Sequence, residues 1–118
     1  MFDERSPIYV QIADGIKNDI LSGALEEDGQ VMSTNQYAAF YRINPATAAK
    51  GFAQLVDEGV LYKKRGIGMF VTPDARAKLR DERRKRFFAD VVGPMLEEAA
   101  RIGVSVDEIR KHLDGATR

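Results

Sequence analysis

Lys63, Lys64 and Arg65 stand in a row beside two closely spaced glycines, Gly66 and Gly68, and upstream lie Arg42, Lys50 and the small polar residues Ser33, Asn35, Gln36, Asn44 and Thr47. Side chains of these types bind phosphate as fixed charges and read base edges by hydrogen bonding, and the methyl group of Ala46 suits the methyl of thymine. Bond-making chemistry has much less to stand on. The chain has no cysteine, which removes disulfides, thiolate-bound zinc and thiol nucleophiles. Its sole histidine, His112, sits among scattered carboxylates without the orienting partner or ligand set that catalysis or metal binding needs. Gly66 and Gly68 do not fit a dinucleotide fingerprint, which must lie between a strand and a helix. The expectation is a chain that is not an enzyme, with no catalytic residue, no metal and no cofactor.

The elements that must position these donors can be read from local signals. Ser33 and Gln36 have the spacing of a capping box, in which a hydroxyl and a side-chain amide satisfy backbone donors at a helix start, so a helix is predicted from about Thr34 to Tyr41. Pro45 disfavours helical geometry at Asn44, while Asn44 is a good N-cap and Pro45 a good first helical residue. A second helix, Pro45 to Glu58, follows after a turn of a few residues, with Ala48, Phe52, Leu55 and Val56 at helical spacing and Gly59 as its stop. Beyond it, Val60 to Lys63 and Met69 to Thr72 read as two strands joined by the basic, glycine-bearing tip. Taken alone, that tip could be an ordinary solvated turn. Behind two capped helices it reads as the wing of a winged helix-turn-helix, with duplex DNA as the partner.

The net charge of the 118-residue chain is formally zero, which speaks against a uniformly basic nucleic-acid binder. Distribution matters more. Residues 1–73 hold seven Lys or Arg against nine Asp or Glu, yet no acid lies between Tyr37 and Val56, so Arg42, Lys50, Lys63, Lys64 and Arg65 are expected to form a local stripe facing phosphate. No apolar run approaches the roughly 18 residues that cross a bilayer, and no signal-like apolar region follows Met1, so a soluble, cytoplasmic protein without membrane contact is expected.

The flanks complete a mainly α architecture with one small β-hairpin. Ser6 and Pro7 predict an N-cap and first residue for a helix ending near Gly23, with Ile8, Ile12, Ile16 and Ile20 on a core-facing stripe and Ala13 beside it. Leu25 to Met32 is expected to be an irregular connection contributing a short strand. After Pro73 a basic run, Arg76 to Arg86, leads into Phe87, Phe88, Val91, Val92, Met95, Leu96, Ala99 and Ile102 at spacings of three and four. Gly93-Pro94 is expected to kink this helix, because proline lacks a backbone donor and clashes with the preceding turn. Ser105 to Glu108 matches a second capping box, opening a last helix that carries Val106, Ile109 and Leu113 on its inner face. The domain reading is thus 1–73, a winged helix-turn-helix, and 74–118, a two-helix segment. Two such helices cannot bury their own stripe. It either folds back on the winged domain or, as favoured here, pairs with a second copy through Phe87, Phe88, Val91, Val92, Met95, Leu96, Ile109 and Leu113.

The assembled motifs resemble the GntR family of bacterial transcription regulators: P-I-Y-x-Q-I at Pro7 to Ile12, I-L-S-G-x-L at Ile20 to Leu25, E-G-V-L at Glu58 to Leu61 and R-G-x-G-x-F-V at Arg65 to Val71. Asn44 to Thr47 and the short helical tail resemble the YtrA subfamily in particular. The resemblance implies a small dimeric repressor that binds a two-fold symmetric operator. The family commonly has arginines where this chain has Asn35, Pro45 and Ala49, so its operator code is not carried over. The competing class is a winged-helix module that binds protein or RNA. Room for a small-molecule effector is limited to an apolar groove near Phe87, Val91 or Met95.

Overall fold

Three helices and a hairpin build the N-terminal part of the computed structural model, which describes residues 2–117. Helix α1 (Ile8–Ser22) is followed by α2 (Thr34–Tyr41), α3 (Pro45–Asp57), and the antiparallel strands β1 (Leu61–Lys64) and β2 (Gly68–Val71). The register pairs Leu61 with Val71 and Lys64 with Gly68, one residue later than expected for β1 and one earlier for β2. The 25–32 connection supplies a single bridge, Gln30 to Phe70, and the bonds Val31 N to Met69 O and Val71 N to Gly29 O extend it along β2. This is a winged helix-turn-helix.

Both predicted caps of the helix pair form. Ser33 Oγ accepts from Gln36 N, and Gln36 Oε1 accepts from Ser33 N. Asn44 Oδ1 accepts from Ala46 N at 2.7 Å. Helix α3 ends in a Schellman arrangement, with Gly59 N bonded to Val56 O and Val60 N to Leu55 O. Helix α1 departs from expectation: its cap is Pro7, without a side-chain cap bond, and the Ser6 carbonyl accepts from the Gln11 side-chain amide. Ile8 is also 40% exposed, so the core stripe of α1 begins at Ile12.

Ile12, Ile16 and Ile20 pack with Phe52, Leu55, Leu61 and Val71 in one core. Gly51 permits the close crossing of α1 and α3, since a Cβ there would stand 2.9 Å from the Tyr9 carbonyl oxygen and 3.1 Å from Ile12 Cγ2. Lys17 and Glu58 tie the same two helices at 2.8 Å. Burial alone would raise the Glu58 carboxyl, but hydrogen bonds from Lys17 and Gln54 carry it below its ordinary value.

Helix α4 (Ala75–Phe87) starts in this unit, which reaches to Arg80, with Ala75 and Leu79 buried in the core; the described residues from 81 to 117 form a second compact unit. There α4 runs into a π-helical stretch, Phe88–Val92, then α5 (Gly93–Ile102) and α6 (Val106–Ala116). The expected interruption at Gly93-Pro94 therefore takes the form of a wide turn just ahead of it. Pro94 cannot donate a backbone bond, and Gly93 N reaches back five residues to Phe88 O. The second capping box forms, Ser105 Oγ accepting from Glu108 N. Val106 and Leu113, expected to face inward, are 52% and 54% exposed in the single chain.

Candidate nucleic-acid interface

The short turn after α2 aims α3. Arg42 takes a left-handed conformation (φ 56°) at the end of α2, and Asn44 with Pro45 then starts α3 at once. Pro45, Ala46, Ala49, Lys50 and Ala53 consequently lie on its exposed side, with Thr47 half-buried, while Ala48, Phe52 and Leu55 enter the core. Tyr37 locks the pair of helices: its ring stands 4.4 Å from Tyr41 and 5.3 Å from Phe52. Burial, reinforced by Tyr41 and Asp19, pushes its hydroxyl up to about 12.

The hairpin tip is set by its glycines. Ile67 N bonds to Lys64 O, and Gly66 (φ 77°) supplies the left-handed residue this tight return requires. At Gly68 the positive φ (149°) disfavours any side chain, and a Cβ would stand 2.6 Å from Gln30 Nε2, so that amide would have to move aside. That amide donates to Ile67 O at 3.1 Å and braces the tip from below. Under β1 and β2, Tyr62 and Phe70 stack at 5.7 Å, Lys64 Nζ lies 4.6 Å from the Phe70 ring centroid, and the Tyr62 hydroxyl donates to Asp28. The bond to Asp28 raises the Tyr62 hydroxyl above its ordinary value.

The start of α2 and the tip face one another across an open groove lined by Ser33, Thr34, Asn35 and the run Lys63 to Met69. Arg42, Lys50, Lys63, Lys64 and Arg65 are exposed and make no ion pair among the described residues. Ser33, Gln36 and Asn44 are exposed as well, but each spends an oxygen on its helix cap, leaving the hydroxyl of Ser33 and the NH₂ groups of Gln36 and Asn44 as free donors. Lys50 has a partner that spacing does not reveal: its ammonium sits 4.1 Å from the centre of the Tyr9 ring. Gln30, Thr34 and the 64% exposed Ile67 also belong to this face and carry no motif that would mark them. Around the groove between the start of α2 and the tip, the arrangement offers hydrogen-bond donors, cations and a helix N-terminus, a surface suited to a polyanion. Among the described residues no His, Cys, Asp and Glu cluster is placed to hold a metal ion, and no helix is long and apolar enough to cross a membrane.

In the second unit the residues expected to pair copies are solvent-facing: Phe87, Phe88, Val91, Met95, Leu96 and Leu113 are exposed, with Val92 and Ile109 half-buried. Ala99 is the buried residue of α5.

No family profile matches the chain. It is 38% identical over 66 residues to the transcriptional repressor NagR of Bacillus subtilis, a match covering 56% of this chain and 27% of NagR. The chain thus spans about a quarter of that relative. With the repressor YtrA of Bacillus subtilis it shares 26% identity over 113 residues, covering 94% of this chain and 86% of YtrA. A solved GntR-family protein from Bacteroides thetaiotaomicron is 35% identical and superposes with a TM-score of 0.73 over 93% of this chain and 96% of its own. The DNA-binding domain of AraR, solved in complex with operator ORX1, is 26% identical with a TM-score of 0.56, covering 61% of this chain and 93% of that one. From motif order, fold and these similarities together, the chain belongs to the GntR family of transcriptional regulators, of the YtrA-like type.

Proposed function

We infer that this protein represses transcription from the cytoplasm as a homodimer bound to a two-fold symmetric operator. What supports the reading is the groove between the start of α2 and the wing, where Lys63, Lys64 and Arg65 make no ion pair among the described residues, together with the likeness over 61% of this chain to the operator-bound AraR domain. In this reading α3 enters the major groove, where Ala46 meets a thymine methyl and Lys50 donates to a guanine edge or to phosphate. Ser33, Asn35, Gln36, Arg42, Asn44 and Thr47 set the register on the backbone. Lys63, Lys64 and Arg65, with the close-approach glycines Gly66 and Gly68, run the wing along the minor groove. The exposed apolar residues of the tail pair the two copies, with half-sites about 34 Å apart. Any small-molecule effector is assigned to the shallow groove lined by Arg83, Arg86, Phe87, Asp90 and Val91.

Selection of bound sequences from a random duplex pool tests the reading directly. The expected product is an inverted repeat whose binding weakens steeply with salt, in proportion to the phosphates neutralised. Recovery of no preferred duplex, or salt-insensitive binding of protein or RNA instead, would overturn it.

A further inference from the structure

The Pro7 to Ile12 run is only partly explained by the fold. Ile12 is core, and Gln11 secures the preceding arm, its amide donating to the Asp3 and Ser6 carbonyls and its oxygen accepting from Asp3 N. Tyr9 has neither task. Its half-buried ring lies beneath the ammonium of Lys50, within the range at which a cation is attracted to an aromatic face. The juxtaposition follows from Gly51, whose missing side chain lets α3 come down onto the backbone of α1 at Tyr9 and so brings the neighbouring residue 50 over the ring. Lys50 is the one cation of α3, and no carboxylate pairs with it among the described residues. An exposed lysine without a partner samples many rotamers, and a ligand that fixes it must offset that lost freedom. A ring on one side narrows the sampling and takes none of the three N–H donors into a hydrogen bond with an acceptor.

We propose that Tyr9 is a positioning residue for DNA recognition, its ring holding the Lys50 ammonium in place on the exposed side of α3. The proposal rests on the reading above that Lys50 touches DNA. The full chain is titrated with the duplex it selects from a random pool, at fixed salt, with affinity referred to the folded fraction from thermal melts. Lys50→Met weakens binding. Tyr9→Leu weakens it about two- to fivefold, the range expected for an exposed cation–π contact, and Tyr9→Phe, which keeps the ring, binds like the parent. In the Lys50→Met background Tyr9→Leu has no further effect. Equal losses from Tyr9→Leu in both backgrounds, unchanged or tighter binding by Tyr9→Leu, or a loss in Tyr9→Phe matching that of Tyr9→Leu would overturn the positioning role while leaving Lys50 as a DNA contact. A Lys50→Met protein with parental affinity would instead remove the Lys50 reading itself, and the role of Tyr9 with it.

Discussion

The two units of this chain treat their large apolar side chains in opposite ways. In the winged unit Ile12 and Leu55 are fully buried and Phe52 is 1% exposed, whereas in the tail Phe88 is 70% exposed and Ile102 67%. The difference is one of partners. Helices α1 and α3 have each other and the hairpin to pack against. In the tail Ala99 is the one buried hydrophobic among the described residues, and the larger apolar side chains of its three helical pieces are left without cover in the single chain. The first unit thus encloses its core, while the second leaves most of its large apolar side chains exposed in the single chain, the feature on which the proposed pairing of two copies rests.

Four measurements bear on this contrast. The largest effect is expected from Phe52→Ala, which opens a cavity where α1, α2 and α3 meet; chemical denaturation is expected to show a loss of about 3–5 kcal/mol. A much smaller loss would mean that the winged core is less tightly filled than it is here. Next, Phe88→Asp is expected to weaken the proposed dimer by ~2 kcal/mol or more, about 30-fold in Kd, while the melting of the winged unit stays where it was. Sedimentation showing an intact dimer would place the subunit contact elsewhere. Ser33→Ala removes the cap of α2 and is expected to cost about 1 kcal/mol, read as faster amide exchange at the start of that helix; unaltered exchange would show that the groove does not depend on the cap.

The smallest effect is confined to alkaline solution. Tyr37 keeps its proton in the fold up to about 12 against an ordinary value of 10.0. Its contribution is therefore complete below pH 10 and is lost as the pH rises towards 12. Tyr37→Phe is expected to flatten this alkaline decline in unfolding midpoint. A parental decline in the variant would assign it to other groups; the tail, which has no tyrosine, has no phenol to contribute to it.

Much of the local structure of the candidate interface was legible because its signals are local. Ser33 with Gln36, and Asn44 with Pro45, announce helix starts through bonds spanning two or three residues. Gly66 and Gly68 mark a tip whose backbone bond spans three. What escaped involves residues far apart in the chain. Gln30 supports the wing through Ile67 O from 37 positions away, and nothing in its neighbours predicts that contact. Ile8 fits the periodicity of Ile12, Ile16 and Ile20 but is exposed where those three are buried, so a sound pattern overran the core by one turn. Pro94 announced an interruption, yet its form, a π-helical stretch at Phe88–Val92, depends on how the freed carbonyls are taken up.

By itself, then, the order of residues determined the caps, the short turn before α3, the tight basic tip and the surplus of apolar side chains in the tail, since each depends on backbone geometry or composition within a few positions. Only the tertiary structure decided which helix faces meet, that Gln30 props the wing, and that Lys50 rests on Tyr9. Those outcomes require two segments to approach at a particular spacing, here allowed by the missing side chain of Gly51, and no local rule carries that information.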